Sequence, residues 1–346
     1  MFRRNLRYYR LRKLMTKKEL ASRAGLSSMA LSYYEKGERM PGMETLKRLA
    51  AVLDVNVSDF LRAHDTDLTF RHGEFRKRGE LTSFEEEYIR EAIEEYCSRL
   101  FTVIEILGGD LIPHSPSAGT LTLSDDFEED SALLRELLGF PSSGPLGNIT
   151  NHLENIGIIV IPVEKAPAGF SGTNGFVNDV PYIAVNDDMS GERQRSTIGH
   201  ELAHLFFFWP EKTDKRKRET TATAVSGAFL FPSEDAKREL GLKRKRASYD
   251  LSLISEEYGI SMYLLMKRAE KTGIINSSTA RKFYLLAESL GWNTNEPERI
   301  AREKPLMLEK LVFRAVSEGE ISVQKGAELL SEPYCDFASR YSCFEV

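Results

Sequence analysis

The chain has 346 residues, 41% hydrophobic and 29% charged, which is the composition of a globular protein rather than a disordered one. No apolar run approaches the ~20 residues of a membrane span, and the basic start Met1–Leu6 lacks the apolar core of a signal peptide. Cys97, Cys335 and Cys343 cannot all pair within one chain and none forms a CxxC, so a disulfide scaffold is disfavoured and a cytoplasmic protein is expected. The net charge of -5 divides into +8 over residues 1–62 and -13 over the remainder, so a polyanion is expected to meet the head alone.

In chain order, Phe2–Lys13 is a basic amphipathic stretch. Thr16 is placed to cap a helix carrying Leu20, Ala21 and Ala24, with Glu19 completing a capping box and Gly25 ending it. Ser27 caps a second helix, Ser28–Lys36, closed by Gly37. Leu46, Leu49, Ala50 and Leu53 give Glu44–Leu53 a helical period. Residues 63–83 are polar and read as a linker, and Phe84–Leu107 as a long amphipathic helix. Residues 108–130 read as loop with a short strand at Thr120–Leu123. Ser131–Leu138 and Asn148–Asn155 read as helices and the β-branched run Ile156–Val163 as a strand. Gly169–Gly175 reads as a glycine-rich turn, followed by short strands at Phe176–Val177 and Tyr182–Val185. Gly191–Phe208 and Glu219–Leu230 are helical, with Lys212–Arg218 a solvated basic turn between them. The rest is mostly helix broken at Gly241, Gly259, Gly273 and Gly291, with a small terminal helix pair over 318–330.

His200-Glu201-Leu202-Ala203-His204 is an HExxH. Residues four apart share a helix face, so both imidazoles can reach one ion while Glu201 takes a proton from a water beside it. Ile198, Leu202, Leu205 and Phe206 supply the apolar face of a buried helix. A catalytic zinc takes three protein ligands and keeps one position open. Glu219, at the start of the next helical stretch, is the best third candidate, because Ala222 and Ser226 on its face are small enough for close packing. Asp214 and Glu211 are rivals in the intervening turn.

His200–His204, Glu219, Ala222 and the Gly-Ala-Phe-Leu-Phe-Pro of 227–232 together resemble the ImmA/IrrE family of metallo-endopeptidases. The likeness runs over about 130–295 and includes Glu154–Val160, Pro181–Asn186, Arg193-Gln194-Arg195, Gly259–Met262 and Gly291-Trp292. Val225 and Ser226 stand where the family usually has Phe-Ala, and Phe208 where many relatives have His; neither touches the ligand set. The resemblance implies one Zn2+ per chain on His200, His204 and Glu219, with Glu201 as general base. Tyr182, Tyr249 and Tyr263 are candidates to stabilise the oxyanion by residue type alone.

Residues 5–61 resemble the XRE, or lambda-repressor-like, helix-turn-helix family through Leu6, Leu11, Glu19-Leu20-Ala21, Ala24–Ser27, Leu31–Gly37, Pro41 and Leu46–Leu53. That implies Ser27, Ser28, Met29, Ser32 and Tyr33 at the major groove and Arg10, Lys17 and Arg39 at phosphates. Lys17 replaces a frequent Gln, and no Arg, Asn or Gln lies between 27 and 34 to read a base edge bidentately.

The expected architecture is mainly α with a small β-sheet: an all-α helix-turn-helix domain at 1–62, a linker at 63–83, and a helical connector at 84–130. An α+β zincin-like metallopeptidase domain follows at 131–295, then a helical extension at 296–346. The expected function is a DNA-binding transcriptional regulator whose zinc endopeptidase cleaves a repressor or other regulatory protein. Its partners would be an operator in double-stranded DNA, that substrate and, by operator symmetry, a second copy, with no membrane. The competing expectation is a repressor or antitoxin whose zinc domain is a sensor or structural body without protease activity.

Overall fold

The computed structural model describes residues 2–61, 68–73, 76–77, 81–124, 126–210, 212–246, 248–292 and 296–342. Residues 63–67, 74–75 and 78–80 of the expected linker, with Glu211 and Cys343, lie outside the described residues. Sixteen α-helices and five strands are described, so the chain is mainly helical with one small sheet. It groups into two units that alternate along the sequence. One comprises Met1–Leu68, Gly79–Leu111 and Leu308–Val346, the other Thr69–Arg78 and Ile112–Met307.

In the first unit, α1 (Phe2–Arg12), α2 (Lys17–Arg23), α3 (Ser28–Lys36) and α4 (Met43–Leu53) enclose a core of Leu6, Leu20, Leu31, Leu49, Leu53 and Phe60. Each of these is fully buried, and burying such a side chain contributes roughly 1.5–3 kcal/mol. The capping box of Thr16 and Glu19 forms, and Ser27 accepts from the Ala30 amide at 3.1 Å. Gly25 and Gly37 take the left-handed backbone that ends the two helices. The long helix α5 (Ser83–Leu107) lies against α1, where Arg7 pairs with Glu87 and Glu91 and Arg4 with Glu94. The span 318–330, expected to hold a helix pair, holds one helix, α15 (Val323–Leu330), with α14 (Met307–Ser317) before it and α16 (Tyr334–Ser342) after it. Gly326 admits the Phe337 ring, since a Cβ there would lie 2.6 Å from Cζ. Arg99 on α5 donates to the Leu329 carbonyl at 2.9 Å, fastening this bundle to α5.

The second unit is built on a sheet in the order β1-β4-β5-β3, with β2 also on β4. The strands are β1 (Phe70–His72), β2 (Arg76–Lys77), β3 (Ile159–Val163), β4 (Phe170–Val177) and β5 (Val180–Asn186). β3 and β5 are parallel; the other pairs are antiparallel. β4 and β5 form a hairpin closed by Asn178-Asp179, both at positive φ as a tight primed turn requires. Three expectations change here. Residues 70–72 and 76–77, read as linker, are strands. The glycine-rich stretch 169–175 is mostly strand rather than turn. Gly172 faces a helix so closely that a Cβ would meet Thr197 Cγ2 at 2.5 Å, and one on Gly175 would meet the Tyr182 hydroxyl. These glycines serve close approach, not reversal. Thr120–Leu123 is no strand, only a single bridge from Leu121 to Phe207.

Helices α6 (Phe127–Leu137), α7 (Ile149–Asn155), α8 (Gly191–Phe206) and α9 (Lys215–Leu230) precede α10 (Ser233–Leu240), α11 (Asp250–Tyr258), α12 (Met262–Lys271) and α13 (Ser277–Ser289). Together with Ile183 and Val185 of β5 they close one apolar core around Leu202, Phe206 and Phe229. Residues 296–307 return across this unit. Glu303 pairs with Arg195 and accepts from the Thr150 amide at 2.8 Å, while Glu154 accepts from the Leu306 and Met307 amides.

Candidate metal centre and helix-turn-helix face

The centre rests on two helices packed unusually close. Ser190 caps α8 and Asp214 caps α9, accepting from the Lys217 amide at 3.1 Å. The expected solvated turn at 212–218 is therefore partly helix: Lys215–Arg218 form the first turn of α9. Asp214 is committed as its cap. Gly199 on α8 faces Ser226 on α9, where a Cβ would sit 2.8 Å from the hydroxyl, and Ser226 donates to the Ser196 carbonyl at 3.0 Å. Ala222 is fully buried. Small residues at 199, 222 and 226 thus bring Glu219, on the same face of α9, against the histidines of α8.

His200 Nε2 lies 2.9 Å from His204 Nε2, and the Glu219 oxygens lie 3.2 and 3.3 Å from those two nitrogens. These ligand atoms fall within 4.8 Å of one another, the one such His/Cys/Asp/Glu cluster among the described residues. Ligands about 2.0–2.1 Å from a tetrahedral zinc stand about 3.3 Å apart, so the donor set fits that ion and leaves a fourth position open. Hydrogen bonds from His200 and then His204 hold the Glu219 carboxyl well below the usual carboxylate range. It is therefore ionised, as a ligand must be.

Two residues that motif reasoning missed complete the centre. Thr223 donates to the Glu219 carbonyl at 2.8 Å, and its oxygen stands 3.2 Å from His200 Nδ1. With its proton committed one turn back, the hydroxyl is placed to accept from Nδ1–H, the tautomer in which Nε2 has given up the proton it shares with Glu219 and presents its lone pair to a metal. Glu201 is buried, outside the three-residue cluster, and its Oε2 accepts from Asn174 Nδ2 at 2.9 Å. Asn174 lies on β4, so the sheet sets the orientation of this carboxylate. Neither residue carries a sequence signal; each acts through a neighbour that only folding supplies.

The Phe-Leu-Phe-Pro run after Gly227 also has a physical basis. The last carbonyls of a helix lack partners within it. Here Arg135 of α6 donates to the Phe229 carbonyl at 2.6 and 2.8 Å, and Arg268 of α12 to that of Phe231 at 2.8 Å. Burial lowers the Arg135 pKa to about 10.

Of the tyrosines considered for the oxyanion, Tyr182 is excluded by the pleat. It pairs with Gly175, on the face opposite Asn174, and its hydroxyl lies 2.6 Å from His72 Nδ1. Tyr263 stacks on Tyr284 and Tyr249 is exposed.

On the helix-turn-helix, α3 leaves Ser28 and Met29 exposed and Ser32 and Tyr33 half-buried, with Ser27 spent on the cap. Arg39 places its guanidinium 5.0 Å from the Tyr33 ring centre, and Lys17 Nζ is exposed, 3.3 Å from Glu35. Arg10 departs from expectation. It is buried, donates to both Glu35 oxygens at 2.5 and 3.1 Å and to the Met15 carbonyl, and so is withheld from any phosphate. Its charge serves the core of the head.

Residues 6–60 match the helix-turn-helix family, and residues 154–270 match the IrrE N-terminal-like domain, a peptidase family. The chain thus carries an XRE-type helix-turn-helix domain at its N terminus and an IrrE/ImmA-like metallopeptidase-type domain after it. It is also 31% identical over 71 residues to YqaE of Bacillus subtilis (strain 168), described as an uncharacterized HTH-type transcriptional regulator. That match covers 20% of this chain and 61% of the relative's length. No helix among the described residues is long and apolar enough to cross a membrane.

Proposed function

We propose that this chain is a cytoplasmic, DNA-binding transcriptional regulator whose second unit is a zinc-dependent endopeptidase acting on a repressor or other regulatory protein. The convergence of His200, His204 and Glu219 beside a separately held, buried Glu201 carries this reading. A site with three ligands and an adjacent base is what hydrolysis needs; a structural site takes a fourth ligand and no base. Zinc bound here supplies Lewis acidity to the scissile carbonyl and the attacking water. His200, held by Thr223, and His204 present neutral imidazoles, and Glu219 balances one positive charge. Glu201 takes the proton from the attacking water and passes it to the leaving amine. Asn174 keeps the Glu201 carboxylate aimed through both transfers.

The helix-turn-helix reading places α3 in the major groove, with Met29 offering an apolar contact to a thymine methyl and Ser28, Ser32 and Tyr33 offering hydroxyls. Lys17 and Arg39 serve phosphates, and two copies occupy a two-fold operator.

The test is Glu201→Gln in the full chain. Zinc content, fold and operator binding stay as in wild type, while cleavage of the substrate falls by about 10²–10⁴-fold. A reporter at the operator, with cellular proteins followed by blot under inducing stress, reads the outcome. If the variant induces like wild type and no protein is cut in either, the peptidase reading fails and a zinc-bearing sensor-repressor takes its place.

A further inference from the structure

The edge of β4 beside the centre is occupied by the chain's own residues 69–73 and 76–77. β4 has β5 on one side and, on the other, β1 and β2, both antiparallel to it. The register runs Phe70↔Val177, Arg71↔Phe176, His72↔Gly175, and the Gly73 amide donates to the Asn174 carbonyl at 2.8 Å. Gly73 therefore lies beside the residue whose side chain holds Glu201. No side chain fits there: a Cβ on Gly73 would meet the Asn174 carbonyl oxygen at 2.6 Å and its Oδ1 at 3.1 Å. An extended backbone with no side chain thus crosses the β4 edge at the position of Asn174.

This segment is held weakly for a strand in that position. The Arg71–Asp179 pair is largely exposed, a setting in which ion pairs contribute about 0–1 kcal/mol. The ladder shifts register between Arg76 and Lys77. The half-buried His72–Tyr182 hydrogen bond and the Arg71 guanidinium over the Phe176 ring are its firmer side-chain anchors.

Resting on the peptidase reading above, we propose that residues 69–73 form an internal strap on the peptide-binding edge of β4, and that an extended segment of the substrate protein enters by displacing it. An incoming strand offers Asn174 and Phe176 the same backbone hydrogen bonds, so the exchange costs little beyond the strap's advantage of being tethered. That advantage is an effective concentration of order millimolar for a short tether.

The probe is a fluorescein-labelled peptide of residues 68–79, followed by anisotropy. Binding is measured on Glu201→Gln chains loaded with zinc, so that hydrolysis does not enter the readout. A loosened chain carries His72→Ala and Gly73→Pro, which remove the Tyr182 contact and the amide donated to Asn174. A stapled chain carries Phe70→Cys and Val177→Cys, facing residues at a non-hydrogen-bonded position where Cβ atoms come close, with Cys335→Ser and Cys343→Ser. The loosened chain should bind the peptide at least tenfold tighter than the chain with an intact strap. The oxidised staple should bind at least tenfold more weakly than the same chain after reduction, which controls for folding. Equal binding by oxidised and reduced staple, or no binding by any chain, overturns the strap. A reduced or loosened chain with Glu201 restored that binds peptide but cuts no protein leaves the strap standing and removes the peptidase reading alone.

Discussion

Thr223→Val tests whether the close packing of α8 and α9 prepares a ligand rather than merely permitting one. Valine keeps the shape and β-branching and removes only the hydroxyl. In wild type that hydroxyl gives its proton to the Glu219 carbonyl and accepts from His200 Nδ1–H, holding the ring in the form whose Nε2 faces the centre. Loss of such an outer partner typically weakens metal binding 10–100-fold. Two features place this case near the lower bound. The 3.2 Å separation is at the long end for N–H···O, and Thr223 is exposed, so water can take its place. The expected loss is therefore about tenfold, or about 1.4 kcal/mol. Competition with a chromophoric chelator at fixed pH measures it, with His204→Ala as the reference for losing a ligand outright. Thr223→Ser should recover wild-type affinity, because only the hydroxyl matters. If Val, Ser and Thr bind zinc within twofold of one another while His204→Ala loses it, Thr223 does not position His200.

The purified chain should hold about one zinc, and the double variant His200→Ala, His204→Ala should hold none by elemental analysis. Zinc affinity should fall as pH falls, because the ligands must be deprotonated to bind; competition with a chelator across pH reads the slope. Glu219 should contribute least to that slope, because the hydrogen bonds that lower its pKa favour the charged carboxylate. Arg10→Ala should destabilise the first unit by about 3 kcal/mol, the low end for breaking a buried pair because Lys17 still neighbours Glu35; denaturant melts read it, and Arg10→Ala with Glu35→Leu should recover most of the loss. Lys17→Ala and Arg39→Ala should weaken operator and random DNA alike and each lower the salt slope by about 1, whereas Met29→Ala should change sequence preference in a competition selection.

Local signals written within a few residues were legible before any fold was known. The capping box at Thr16, the Ser27 cap and the Gly37 stop bounded two helices, because the groups that cap a helix lie within a turn of it. The HExxH was equally plain, since a four-residue spacing on a helix is itself a geometry, and the small residues on its face made Glu219 the best third candidate ahead of Asp214 and Glu211. What the sequence could not state depended on partners far along the chain. Arg10 looked like any basic residue on an amphipathic helix; only packing against Glu35 turned it from a phosphate contact into a buried ion pair. The glycines of 169–175 suggested a turn because glycine favours both reversal and close approach, and only the nearness of Thr197 and Tyr182 distinguished them. Asn174 and Thr223 carried no pattern, since a residue that orients another is defined by distance across elements. Residues 70–73 read as polar linker because two or three residues hold no period; their strand character is conferred by the open edge of β4. Tertiary structure decided these points because hydrogen bonds between distant segments leave no mark on local periodicity.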